Sequence, residues 1–119
     1  MQDFTKLIVW RKAHLLVTAV YQATSAFPKD ELYGLTSQVR RACVSIPANI
    51  AEGSGRKGKA EFSHFLSIAM GSASEVEYYL FLARELHFLS VKDCENLVTQ
   101  VSEVKRMLTA FIKKLSTDY

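Results

Sequence analysis

The stretch Gln38-Val-Arg-Arg-Ala-Cys-Val-Ser-Ile-Pro-Ala-Asn-Ile-Ala-Glu-Gly-Ser-Gly-Arg-Lys-Gly-Lys59 decides between two fold classes. Read from its glycines, Gly53-Ser-Gly55-Arg-Lys-Gly58 fits the dinucleotide fingerprint G-x-G-x-x-G, and with Lys59 it fits most of a P-loop. Either match would make the chain α/β. Read from its apolar spacing, the same stretch continues a helical stripe of Leu32, Leu35, Val39, Ala42, Ile46 and Ile50. The second reading wins on chemistry. A P-loop needs Ser or Thr after its lysine to hold magnesium, and Ala60 stands there. Both phosphate motifs also require a preceding strand in a parallel sheet, whereas this loop follows a helix in a chain with no β-α-β pattern. A strand over Cys43-Val-Ser-Ile46 has the right β-branched residues, but Pro47 and the lack of a partner strand argue against it. Pro47 instead predicts a kink in a helix that ends at Gly53 as C-cap, followed by a loop from Gly53 to Gly58.

The flanking sequence supplies three more helices. The first is expected from near Phe4 to before Pro28, with Trp10, Ala13, Val17, Val20, Thr24 and Phe27 on one stripe. The third has the strictest rhythm, Phe62, Leu66, Ala69, Ala73, Val76, Leu80, Ala83 and His87. A second stripe of Phe65, Ser72, Tyr79 and Leu86 widens its face and predicts burial on more than one side. After a break at Leu89-Ser90, Cys94, Leu97, Val101, Val104, Leu108, Phe111 and Leu115 mark the fourth. Lys105, Arg106, Lys113 and Lys114 crowd its last turns, where cations meet the negative end of the helix dipole. Four amphipathic helices with short connections predict an all-α, antiparallel up-and-down four-helix bundle, one domain over residues 1–119.

Composition narrows the function classes. At 119 residues, 49% apolar and 23% charged, the chain is long enough for a core without staples. Cys43 and Cys94 fall in apolar stripes and read as buried free thiols, which suits a cytoplasmic protein. No uncharged apolar run approaches the roughly 20 residues of a membrane span, so no membrane partner is expected. Charge is uneven: residues 1–60 carry +5 and residues 61–119 carry −2. That asymmetry suits an acidic partner or a solvated mixed surface.

Candidate chemistry is sparse. Glu61-Phe-Ser-His64 is a Glu-x-x-His unit, but a di-iron site needs a second copy and two more inward carboxylates. His14 and His87 lack partners at ligand spacing, and His87 reads as a capping or packed imidazole. No metal, cofactor or catalytic group is therefore expected. The glycine loop carries Arg56, Lys57 and Lys59 to the start of the third helix; it reads as a flexible solvated loop or as an anion-attracting one. On the second helix Ser37, Arg41, Ser45, Asn49 and Glu52 share one side and predict a hydrogen-bonded seam against another helix or subunit. Glu75 and Glu77 are the expected partners of Arg40 and Arg41.

Trp10, Phe27-Pro28 with Glu31, Gly34-Leu35, Gln38-Val-Arg-Arg41, Ser45-Ile-Pro-Ala-Asn-Ile-Ala-Glu-Gly53, and Ile68-Ala-Met-Gly-Ser72 with Glu75 resemble the four-helix-bundle proteins encoded in 23S ribosomal RNA intervening sequences of bacteria. The resemblance covers nearly the whole chain. It implies a ring-shaped homopentamer, no established enzymatic activity, and kinship with the accessory variability protein of diversity-generating retroelements, which binds a reverse transcriptase and RNA. It transfers no agreed ligand residues. The leading expectation is a non-enzymatic oligomeric scaffold that binds structured RNA or DNA through Arg40, Arg41, Arg56, Lys57 and Lys59. The rival is a module that docks a partner protein, such as a reverse transcriptase, without touching nucleic acid.

Overall fold

The computed structural model describes residues 3–117. Four helices account for most of them: α1 (Ile8–Thr24), α2 (Leu35–Ser54), α3 (Lys59–Glu85) and α4 (Val91–Thr117), with no strand among the described residues. At 1.5 Å per residue α3 and α4 are each about 40 Å long, which accounts for the 48 Å long axis. Each helix packs on its neighbours in sequence, and α1 closes the ring against α4.

Cross-helix pairs fix the directions. Thr24 meets Arg40 between the end of α1 and the start of α2, and Ser45 meets Ser72 between α2 and α3. Phe62 near the start of α3 packs on Phe111 near the end of α4, and the Cys94 thiol donates to the Leu80 carbonyl. All neighbours are antiparallel, as expected for helices joined by short turns.

The core is the sum of the four predicted stripes. Leu16, Ile46, Ile50, Leu66, Leu80 and Leu108 are its largest fully buried side chains, each contributing about 2 kcal/mol by removal from water. Both cysteines are buried free thiols. In α1 the stripe is turned slightly from the expected one: Val9 and Leu16 are buried, while Trp10 and Val17 sit at the margin. Steps of three and four admit either Leu16 or Val17 beside Ala13 and Val20, and only packing chooses.

Several helix boundaries differ from expectation, each for a local reason. Residues Phe4–Lys6 form a separate 3-10 turn capped by the Asp3 carboxylate, and extended Leu7 breaks it from α1. Leu32, expected inward, is 49% exposed because it lies in the connection before α2. There the Glu31 carboxylate accepts from the Leu35 N–H at 3.0 Å and caps α2. A Cβ on Gly34 would lie 2.8 Å from that Glu31 oxygen, so the glycine makes room for the cap. Leu86, expected on a buried stripe, is exposed because α3 has already ended at Glu85.

Gly53 does not cap α2. The helix runs through Pro47 and Gly53 to Ser54, and Gly55 is the C-cap. A Cβ at Gly53 would meet Phe62 Cδ1 at 2.8 Å and Phe65 Cβ at 2.9 Å. Gly53 is therefore a point of close approach between α2 and α3, and it is demanded by packing rather than by backbone conformation.

Candidate nucleic-acid interface

The connection between α2 and α3 is four residues, Gly55 to Gly58. Gly55 has φ −87° and Gly58 φ −135°, so neither occupies the left-handed region that favours glycine. No atom lies within 4 Å of where a Gly58 Cβ would be. The Gly58 cap supplies no side chain to the first turn of α3, whose N–H groups carry the positive end of the helix dipole. Lys57 and Lys59 are exposed beside it.

Arg56 is partly spoken for. Its guanidinium donates twice to Glu52 Oε2, from Nη2 at 2.9 Å and from Nε at 3.1 Å, and lies over the Phe65 ring at 4.9 Å. Both members of the pair are about half exposed, so the bridge holds the side chain in place without contributing much stability.

Antiparallel packing adds residues that the linear sequence sets apart. The Phe62–Phe111 contact puts the start of α3 and the end of α4 at the same end of the bundle. Lys113 and Lys114, one turn or less beyond Phe111, thus join Lys57 and Lys59 there. The 3-10 turn bearing Lys6 also packs against α2 and α1 at this end. These cations look, in sequence, like ordinary complements to a helix C-terminus, and only the fold gathers them.

Arg40 and Arg41 do not belong to this cluster. Fourteen residues of α2 separate Arg40 from Ser54, about 21 Å of rise, and Arg56 lies beyond that end in the turn. Arg40 turns to α1: Nε donates to Thr24 Oγ1 at 2.8 Å, Nη2 donates to the Tyr21 carbonyl at 3.3 Å, and the guanidinium lies 4.5 Å from the Tyr21 ring centroid. Arg41 is exposed. The expected partnership with Glu75 and Glu77 does not form for Arg40, and Glu77 instead faces α4 and accepts from Lys105 Nζ at 3.1 Å. Glu77 is on the α4 side of α3 and Arg40 is on the α1 side of α2, so the bundle interior lies between them.

The polar seam of α2 divides likewise. Its middle faces α3: Ser45 Oγ and Ser72 Oγ share a 2.8 Å hydrogen bond, and Asn49 Nδ2 donates to both the Ser45 carbonyl and Ser45 Oγ. Ser72 is buried, and this bond satisfies it. Glu52, at one end, pairs with Arg56, while Ser37 and Arg41, at the other, line a surface cleft with Tyr21 and Tyr33. Among the described residues no group of three or more His, Cys, Asp or Glu side chains could hold a metal ion. Also among them, no helix is long and apolar enough to cross a membrane. His64 stacks edge-on against Phe65, and His87 is exposed at the C-terminus of α3.

Ser45 and Asn49 are thus half-buried against α3. The profile of the 23S rRNA-intervening sequence proteins matches residues 5–110. The chain belongs to this family. The family match takes in all of α1, α2 and α3 and most of α4, so the motif-bearing α2 and the basic turn lie inside it. Among solved structures, a protein of unknown function from the S23 ribosomal protein family of Bacteroides thetaiotaomicron VPI-5482 is similar, with a TM-score of 0.81 and 25% sequence identity. The alignment covers 89% of this chain and 99% of that one. No curated protein matches the sequence.

Proposed function

We propose that this family member is a non-enzymatic oligomeric scaffold that binds structured RNA or DNA through the basic end of its bundle. The observation that carries the reading is that Arg56, Lys57 and Lys59, beside a start of α3 to which Gly58 offers no side-chain cap, lie at the same end of the bundle as Lys113 and Lys114. Phosphate groups favour such a place because fixed backbone N–H groups, a helix dipole and mobile ammonium groups act together. One subunit offers few contacts. Repetition in a ring-shaped homo-oligomer, the homopentamer implied by the family resemblance, multiplies them into useful avidity.

The outward face of α3 supports assembly. Ile68, Tyr78 and Phe81 are exposed there around Gly71, and no lysine or arginine occurs between Lys59 and Arg84. A second copy of the chain can cover such a face without bringing cations together. The same apolar face favours the rival reading, in which it docks a partner protein.

Filter binding of a structured RNA over a salt series separates the two. The scaffold reading expects affinity to fall steeply between 50 and 200 mM salt, on the order of ten-fold or more for several phosphate contacts per particle. It also expects the Lys57→Ala, Lys59→Ala, Lys113→Ala, Lys114→Ala variant to lose most binding. Wild-type protein that leaves RNA unbound at low salt, or whose affinity ignores salt, overturns it in favour of protein docking.

A further inference from the structure

The opposite end of the bundle carries a different surface chemistry. Tyr33, between the 3-10 turn Lys29–Glu31 and α2, is 93% exposed, and Tyr21 near the end of α1 is 43% exposed. Both line a shallow surface cleft with Arg40, Arg41, Ser37 and Leu32.

The cleft is held by contacts that do not involve Tyr33. Glu31 caps α2 at the Leu35 N–H, Arg40 ties α2 to Thr24 and Tyr21, and Phe27 packs on Phe88 at 5.8 Å between centroids. The Tyr33 ring, almost fully exposed on a braced turn, contributes nothing to this core and is open to a ligand. The guanidinium carbon of Arg40 lies 4.5 Å from the Tyr21 ring centroid in a cation–π contact, so a cationic and an aromatic group are presented together.

We infer that Tyr33 and Tyr21, with Arg40 and Arg41, form a second site that takes unpaired nucleotides by base stacking. The inference rests on the nucleic-acid reading above and extends it from duplex phosphate to single-stranded segments. Stacking on tyrosine and arginine planes is how unpaired bases are held, and each stacked base contributes enough to be measured by alanine substitution. Charge near this corner is nearly balanced: residues 29–41 carry Lys29, Arg40 and Arg41 against Asp30 and Glu31, and Glu31 caps α2. Affinity at this corner therefore depends on the rings more than on counterion release, and its salt dependence is shallower than that of the basic end.

The test is fluorescence anisotropy with a labelled single-stranded hexa-adenylate and, separately, a labelled RNA duplex, on the full chain. Light scattering on the same samples reads the oligomeric state. Tyr33→Ala is expected to weaken hexa-adenylate binding about ten-fold and leave duplex binding unchanged; Tyr33→Phe, which keeps the ring, is expected to restore it. If wild type and Tyr33→Ala bind hexa-adenylate equally while duplex binding persists, the stacking site is overturned and the basic-end reading stands. If wild type binds neither probe, both fall. If Tyr33→Ala changes the oligomeric mass without altering relative affinities, Tyr33 is a subunit contact and the inference is overturned.

Discussion

The α2–α3 turn and the α3–α4 turn sit at opposite ends of the bundle and invert what their compositions suggest. The first holds two glycines and has no residue with positive φ. The second, residues 86–90, holds no glycine, yet His87 adopts φ 63°, the one positive value among the described residues. The Phe88 N–H donates to the Ala83 carbonyl at 2.9 Å and the His87 N–H donates to the Arg84 carbonyl at 3.0 Å. That pair of bonds is a Schellman cap with histidine where glycine is preferred. Phe88 and Leu89 then turn inward and anchor the connection.

Glycine in the basic turn thus answers to exposure rather than to turn geometry. It leaves backbone N–H groups uncovered next to lysines, whereas the apolar turn uses burial to enforce a strained residue. The glycine that the fold itself requires, Gly53, lies just outside the loop and inside a helix.

The largest test of this contrast is Gly53→Val. Methyl groups directed at Phe62 and Phe65 would force α2 and α3 apart. A net loss of about 2 kcal/mol is expected even after the gain in helix propensity. Urea unfolding measures it, and an unchanged midpoint would move the close approach elsewhere.

The waist between the two turns supplies a pH probe. Burial pushes the Cys43 thiol up from 9.0 to about 12. Between those values the unfolded chain has lost a proton that the native chain keeps, so stability falls as pH rises. The contribution is flat below pH 9 and declines by about 1.4 kcal/mol per pH unit above it. Comparing urea midpoints of wild type and Cys43→Ala at pH 8 and pH 10 isolates this slope, and equal slopes would mean that the thiol is accessible.

Two smaller substitutions address the turns directly. His87→Gly should stabilise the chain by about 1 kcal/mol by relieving the left-handed residue, read as a rise in melting temperature. Gly55→Ala should stabilise it by about 0.5 kcal/mol, since its backbone is right-handed and the nearest atom to a new Cβ is an ordinary 3.6 Å away. Adding a glycine to one turn and removing one from the other would therefore both help. If Gly55→Ala were clearly destabilising, the basic turn would need conformational freedom after all.

Much of the fold is legible in the chain because apolar spacing directly reports which side of a helix leaves water. The stripes of α3 and α4 needed no correction at Phe62, Leu66, Val76, Leu80, Leu97, Val101 or Leu108. Ser45 and Asn49 were legible as a seam, because short polar side chains amid apolar neighbours need partners when buried. Leu32 and Leu86 do not follow their stripes because each lies just outside the helix its stripe belongs to, and the end of α2 differs because Gly53 serves close packing with α3 rather than capping.

The sequence alone determined that four helices form and which side of each is buried, because that information is local and periodic. Tertiary structure alone decided which cations share an end of the bundle. Lys113 and Lys114 share an end of the bundle with Lys57 and Lys59 across more than fifty residues of chain, while Arg40 and Arg41, nearer in sequence, stand about 20 Å away along α2, near its other end. Antiparallel packing brings distant residues to one end and separates near ones along a helix, and no local pattern records that exchange.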